Sequence, residues 1–498
     1  MKSLTATALA AGLWASGSAA LHLIERDTPN VVGLDLARRH VPDPVKRDAL
    51  RRRQSQTVTE TLDNYGTLYF ANVSIGTPAQ NFALHIDTGS SDLWVNVPNS
   101  EICTDQENPC SLSGTYDANS SSTYKYVNSL FNVSYVDGSG ALGDYATDTV
   151  SIGGKSITGL QFGIGYDSNS AEGILGIGYT ADEAQAATAR QKSYPNLPQA
   201  MANGGLIQSN AYSLWLNDPD ANTGSILFGG VDTDKYTGSL QSVPIQKEFD
   251  QYAEFIITLT DMGLTNATTS QKLTTDLPTV VILDSGSSLT YLPNDLTSAI
   301  YSALDVQYDS AQQLGLCSCS LANENITIDF TFTSATISVA IDDLVLDTEQ
   351  GTSEDGENPN SQGSQFGGGE ESLDCAFGIA PALGETAVLG DTFLRSAYVV
   401  YDLANNEISL AQTDFNATGT NVKEIGTGTT SVPDATPVAN AVQAAVSQTG
   451  GARIAVSGTG GSAVATTTST ATSGAVSRSV SYGGLALTAA VVAAFAYA

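Results

Sequence analysis

Two short segments of this 498-residue chain hold an aspartate in the same setting. In His85-Ile86-Asp87-Thr88-Gly89-Ser90-Ser91 an apolar run ends in Asp, a hydroxyl residue and Gly, and Asp92-Leu93-Trp94-Val95 comes next. Val281-Ile282-Leu283-Asp284-Ser285-Gly286-Ser287-Ser288 repeats the pattern 197 residues later, followed by Leu289-Thr290-Tyr291-Leu292. The Gly permits close backbone approach, and the small hydroxyl residues can hydrogen-bond a carboxylate. One such tripeptide is commonly a plain turn. Two copies with matching apolar flanks, one in each half of the chain, point to a working pair of carboxylates.

Elimination supports the same chemistry. Only one of the three histidines, His85, lies beyond residue 53. A histidine-based Ser or Cys triad would have to use it, and a zinc site built from several histidines is excluded. No metal or other cofactor is called for. His85 itself reads as a strand residue beside the site. A formal charge of -32 argues against nucleic-acid binding, which needs a cationic face. It suits acidic surroundings, where protonation reduces self-repulsion.

The elements that must position these residues are β-rich. From about Thr57 to Thr413, short apolar runs such as Leu68–Ile75, Phe82–Ile86, Ser225–Phe228 and Phe255–Leu259 alternate with Gly, Asn, Asp and Pro. Leu296–Leu304 is the clearest helical patch. Asp347 to Asp374 is acidic, rich in Gly, Ser and Gln, and predicts a mobile surface loop.

The ends read as processing signals. Met1 to Ala20 has the basic start, apolar stretch and small-residue end of a secretory signal peptide. Residues 21–53 carry eight Lys and Arg against five acids and end in Arg51-Arg52-Arg53, as expected of a propeptide cleaved after Arg53. Residues 54–498 carry 11 basic and 47 acidic residues, so docking of the propeptide is expected to weaken in acid. Residues 416–473 are rich in Thr, Ser, Gly, Ala and Val and predict a flexible stalk. Residues 474–498 then read as a GPI-attachment signal: small residues with Ser473 or Gly474 as attachment point, a spacer, and an apolar tail from Leu485. The expected destination is the cell surface, at the plasma membrane or in the wall.

Five cysteines in an exported chain predict disulfides with one thiol left over. Cys103 and Cys110 are close enough to pair; Cys375 has Cys317 or Cys319 as partner, and the sequence does not choose. Six N-x-Ser/Thr acceptors begin at Asn72, Asn119, Asn132, Asn266, Asn325 and Asn416. Asn72 and Asn132 lie in strand-like runs, so use of all six is not expected.

With these residues in view, positions 60–413 resemble the pepsin-like aspartic proteases. Further matches are Ile75-Gly76-Thr77-Pro78-Ala79-Gln80, Gly173-Ile174-Leu175-Gly176-Ile177-Gly178, Ala387-Val388-Leu389-Gly390-Asp391, and the block Leu389–Leu410. Propeptide, dibasic site, stalk and anchor signal look most like the fungal yapsin and candidapepsin-type branch. The resemblance implies a mostly β, bilobal fold: lobes 54–245 and 246–415, each giving one Asp to a central cleft. It implies an aspartic endopeptidase, monomeric, acting on protein or peptide substrates through water held between Asp87 and Asp284. Thr88 and Ser285 would tie the loops together, with Gly89 and Gly286 at the turns, and Ser90 and Ser287 would hydrogen-bond the outer carboxylate oxygens. Tyr135-Val136-Asp137-Gly138-Ser139-Gly140 falls at the family's flap, with Tyr135 supported by Trp94; Val136 departs from the usual Gly. Asp137 sits where relatives approach the residue before the cut, which predicts a preference for Lys or Arg there. A catalytically silent binding protein of the same shape would lose an Asp or its Gly, and both turns are intact. A cell-wall glycoprotein explains the tail and leaves the doubled Asp loops without a purpose.

Overall fold

In the computed structural model, residues 29–40, 67–105, 108–135, 139–187, 189–218, 221, 223–248, 250–347 and 375–444 are described. The signal peptide, Arg53, Asp137, Gly138, the acidic stretch 348–374, Ser473 and the anchor signal lie outside them.

Strand Gln80–Asp87 is buried from Phe82 onward. It pairs antiparallel with Thr67–Ile75 and parallel with Ile174–Gly176. Covering on both faces explains why its sequence is a continuous apolar run rather than an alternating one. After the turn beyond Asp87, Leu93–Asn96 returns antiparallel to Ile174–Gly176 and parallel to Lys155–Ser168. The second half repeats this arrangement. Thr279–Leu283 pairs antiparallel with Ile256–Leu259 and parallel with Ala387–Leu389. Beyond Asp284, Thr290–Leu292 returns against Ala387–Leu389 and runs parallel to Ile379–Pro381. Each Asp therefore leaves a buried strand and enters a turn held against a neighbouring apolar-apolar-Gly segment. Ile177 N donates to Asp87 O at 3.0 Å, and Asp284 N donates to Leu389 O at 3.0 Å.

A shared sheet joins the two halves. Ala211–Trp215 pairs with Ala397–Asp402, which pairs with Glu407–Thr413, and that strand pairs with Tyr236–Pro244. Tyr212 and Tyr401 stack within it, their centroids 4.9 Å apart, and Phe255 packs edge-on against both. The predicted helix is present as Asn294–Leu304, burying Leu296, Ile300 and Tyr301 on one face. It ends at Asp305, whose φ of 55° is a left-handed stop.

Two segments differ from the sequence expectation. Within the basic segment 21–53, Val32–His40 forms a strand between Thr67–Ile75 and Thr223–Phe228. Val32, Leu34 and Leu36 alternate into the core, a period of two masked by the surrounding charges. The expected stalk also does not begin at 416. Val422–Glu424 pairs with Gly230–Asp232, Thr436–Pro437 pairs with Gln241 and Ser242, and Ile425, Val432 and Val438 are buried. Asn421 N and Thr420 Oγ1 donate to the Asp232 carboxylate at 2.7 and 2.9 Å. A few well-placed apolar side chains dock this segment through residue 444, which composition alone conceals.

Candidate active site

The turns after Asp87 and Asp284 meet face to face. Gly89 N donates to Asp87 Oδ1 at 2.8 Å, and Gly286 N donates to Asp284 Oδ1 at 2.9 Å. Ser90 Oγ donates to Asp87 Oδ2 at 2.6 Å. Ser287, its counterpart, is buried in the second turn. The two loops are cross-tied by their hydroxyl residues. Ser285 N donates to Thr88 Oγ1 at 2.9 Å, and Thr88 N donates to Ser285 Oγ at 3.2 Å. Each hydroxyl then donates into the opposite strand, Thr88 to Leu283 O at 3.1 Å and Ser285 to Ile86 O at 3.0 Å. Both hydroxyls thus donate and accept across the interface, so the loops are held in one relative position.

Gly286 marks how closely the carboxylates converge. A Cβ at that position would lie 2.5 Å from Asp87 Oδ1 and 3.0 Å from Asp284 Oδ1. Any side chain there would push the two acids apart. Both acids are buried, and two buried carboxylates at this separation disfavour double ionisation. Such a pair can hold one proton and one charge over a bound water.

The hairpin at which the resemblance expects the flap consists of Lys125–Ser134 and Gly140–Ile152. Tyr135 N donates to Ser139 O at 2.8 Å across its tip. Trp94 Nε1 donates to Tyr135 Oη at 2.8 Å, so Tyr135 is tethered to the strand beyond the first Asp turn. The His85 ring lies tilted against that of Phe70, its cross-strand partner, with centroids 5.7 Å apart.

Sequence reasoning passed over the residues behind this wall. Asp92 is buried and accepts from Tyr145 Oη at 2.7 Å, Tyr194 Oη at 2.6 Å and Ala184 N at 2.7 Å. Burial raises its carboxyl above the usual range, and these three hydrogen bonds pull it back. Glu183 beside it accepts from Tyr194 N at 2.7 Å, and burial pushes its carboxyl up to about 9. The available signal was an acid placed immediately before the apolar strand Leu93–Asn96.

A pocket of about 350 Å³ opens at the start of the strand Thr279–Leu283, the end remote from Asp284. Thr279 and Val280 line it, together with the carboxylate residues Glu248, Glu254, Asp276, Asp295 and Glu385 and no Lys or Arg. Disulfides join Cys103 to Cys110 and Cys319 to Cys375. Cys317 stands opposite Cys375 in the strand register and remains a buried thiol, pushed up to about 11 by burial. Both candidates thus lie next to Cys375, which is why spacing could not choose between them.

A mostly β, two-part fold with paired Asp turns at its centre defines the pepsin-like class. The family model described as eukaryotic aspartyl protease matches residues 68–413. The chain is 54% identical to the "Probable aspartic-type endopeptidase opsB" of Aspergillus oryzae, covering 89% of each protein. It is 36% identical to "Secreted aspartic protease 8" of Candida albicans, over 72% of this chain and 79% of that one. The crystal structure of an aspartic proteinase from Irpex lacteus matches in fold, with a TM-score of 0.54 and 22% identity, over 78% of this chain and all of that one. The chain belongs to the pepsin-like aspartic protease family and is an aspartic-type endopeptidase.

Proposed function

We propose that Asp87 and Asp284 carry out the hydrolysis, with no cofactor. The ionised member removes a proton from the bound water. The water oxygen then adds to the scissile carbonyl carbon, while the protonated member donates to the carbonyl oxygen. Collapse of the tetrahedral intermediate breaks the C–N bond as the leaving nitrogen takes up a proton. The titration belongs to the pair rather than to either residue. Convergence of both carboxylates on Gly286 is the observation that carries this reading. Asp284→Asn and Asp87→Asn test it: each should abolish pepstatin-sensitive peptide cleavage in a protein that still folds.

The finer reading is a secreted zymogen, cut after Arg53 and held at the cell surface through an anchor near Ser473. It is supported by the end signals, the two disulfides and the Candida albicans relative, which is itself named as secreted. Because Val32–His40 is paired on both sides, cleavage must leave it bound in place or let another segment take its position. Sequencing the N-terminus of the mature protein, and asking whether a 32–40 peptide co-purifies, distinguishes these outcomes. Release of surface activity by a phosphatidylinositol-specific phospholipase tests the anchor.

The substrate preference we propose is for basic side chains. Asp137, which the resemblance places near the substrate residue before the cut, supports it, together with the excess of acidic over basic residues beyond the propeptide. Asp137→Ala should reduce cleavage after Lys relative to Leu; an unchanged ratio removes Asp137 from the reading.

A further inference from the structure

We propose that Asn132 carries an N-linked oligosaccharide whose first sugars lie against the outer face of the flap hairpin. This rests on the reading of the chain as secreted. In the hairpin Phe131 stands opposite Gly143, Asn132 opposite Leu142, and Val133 opposite Ala141. Opposed residues share a face, and successive residues alternate between faces. Phe131, Val133 and Ala141 point inward and pack with Trp94, Tyr135 and Tyr145. Asn132, Leu130 and Leu142 therefore point outward, and Asn132 is exposed.

The outward face is apolar to an unusual degree. Leu130 is 41% exposed, Leu142 47%, Tyr166 45% and Tyr126 56%. Tyr166 Oη donates to Asp144 Oδ2 at 3.0 Å. Single exposed apolar residues are ordinary. Leu142 directly opposite Asn132 and Leu130 two residues before it gather at one glycosylation acceptor. Rings and aliphatic side chains bordered by phenol hydroxyls and one carboxylate suit a sugar, whose C–H faces need apolar contact and whose hydroxyls need acceptors. Asn132 and Leu142 sit side by side across the strands, at about 5 Å between Cβ atoms, so the first sugar reaches this face directly.

The donor is a lipid-pyrophosphate-linked oligosaccharide. The Asn132 amide nitrogen forms a bond to the anomeric carbon and loses one proton. The bond from that carbon to the pyrophosphate oxygen breaks, and the lipid pyrophosphate leaves with the electron pair. The opposite fate is assigned to Asn416. Its Nδ2 donates to Asp218 Oδ2 at 2.9 Å and its backbone N donates to Asn217 Oδ1 at 2.8 Å, so its amide is already engaged. A sugar on that nitrogen would compete with its bond to Asp218.

The test is made on the full chain secreted from a eukaryotic host. Amidase release of glycans in ¹⁸O water turns each occupied Asn into labelled Asp, located by peptide mass mapping. The label is expected at Asn132 in most molecules and not at Asn416. Label at Asn119 or Asn325 with none at Asn132 overturns the proposal alone; no label at any acceptor overturns the secretory reading with it. Asn132→Gln should raise binding of a hydrophobic dye several-fold, whereas Asn119→Gln should leave it unchanged. An equal dye response in the two variants overturns the contact with the hairpin face. If Asn132→Gln does not accumulate, Ser134→Ala removes the same acceptor and leaves Asn132 in place.

Discussion

Thr88 and Ser285 each accept a hydrogen bond from the other's backbone N–H, at 2.9 and 3.2 Å, although 197 residues separate them. This exchange, with the onward bonds to Leu283 O and Ile86 O, holds Asp87 and Asp284 at a fixed separation. Ser285→Ala removes the acceptor for Thr88 N and leaves Ile86 O without this donor, both buried. The expected loss is ~2–4 kcal/mol of stability, with kcat reduced at least about tenfold because the acids lose registry. Thr88→Ser, which keeps the hydroxyl, should retain most activity. Thermal unfolding and initial rates on one peptide substrate check both variants.

Trp94 and Tyr135 make the second link, between the first Asp turn and the flap. Trp94→Phe keeps most of the ring packing and removes the Nε1–H donor to Tyr135 Oη. A single such bond is worth about 1 kcal/mol, so kcat/KM should fall roughly fivefold. Tyr135→Phe breaks the same bond. The double variant should therefore fall short of the sum of the two single losses. Full additivity would show that the two side chains act separately.

The buried acids behind the wall set a pH limit. Glu183 has an ordinary value of 4.5 and is pushed up to about 9, by burial first; the Tyr194 N–H opposes this, and the nearby Asp92 and Asp182 carboxylates add to it. The folded state therefore keeps a proton that the unfolded chain releases. Its contribution to stability is fully present below about pH 4.5 and is lost as the pH rises toward 9. At neutral pH the loss is on the order of 3 kcal/mol. Asp92, also raised by burial, acts in the same direction. The melting temperature should fall between about pH 5 and 8, and Glu183→Gln should flatten the slope. An unchanged slope would assign the limit to other groups.

Thiol titration separates the two cysteine pairings. Cys317 is buried and its thiol is pushed up to about 11 by burial, so it should resist alkylation in the native protein. One thiol should react after denaturation without reductant, and mapping should place the label on Cys317. Label on Cys319 would mean that Cys317 is the partner of Cys375.

The meeting of the two Asp turns was legible because its signals are local. An apolar strand, an Asp and a Gly turn occupy eight residues, and the doubling of that pattern is visible in the sequence. The helix at Asn294–Leu304 was legible for the same reason. The features that escaped depend on distant partners. Val32, Leu34 and Leu36 become a strand only because Thr67–Ile75 and Thr223–Phe228 lie on either side, and their basic surroundings argued for a removable tail. Ile425, Val432 and Val438 are too sparse to signal packing among Thr and Gly, yet each meets a prepared apolar site. Asp92 and Glu183 are ordinary acids until Tyr145 and Tyr194 close over them.

The most direct test is peptide hydrolysis at acid pH by the processed enzyme and by Asp284→Asn, with unfolding curves recorded for both. Two converging carboxylates predict pepstatin-sensitive cleavage by the wild type and a loss of at least about a thousandfold in the variant, with the fold intact. Comparable cleavage by a folded Asp284→Asn protein would contradict the assignment of Asp87 and Asp284 as the acid and base.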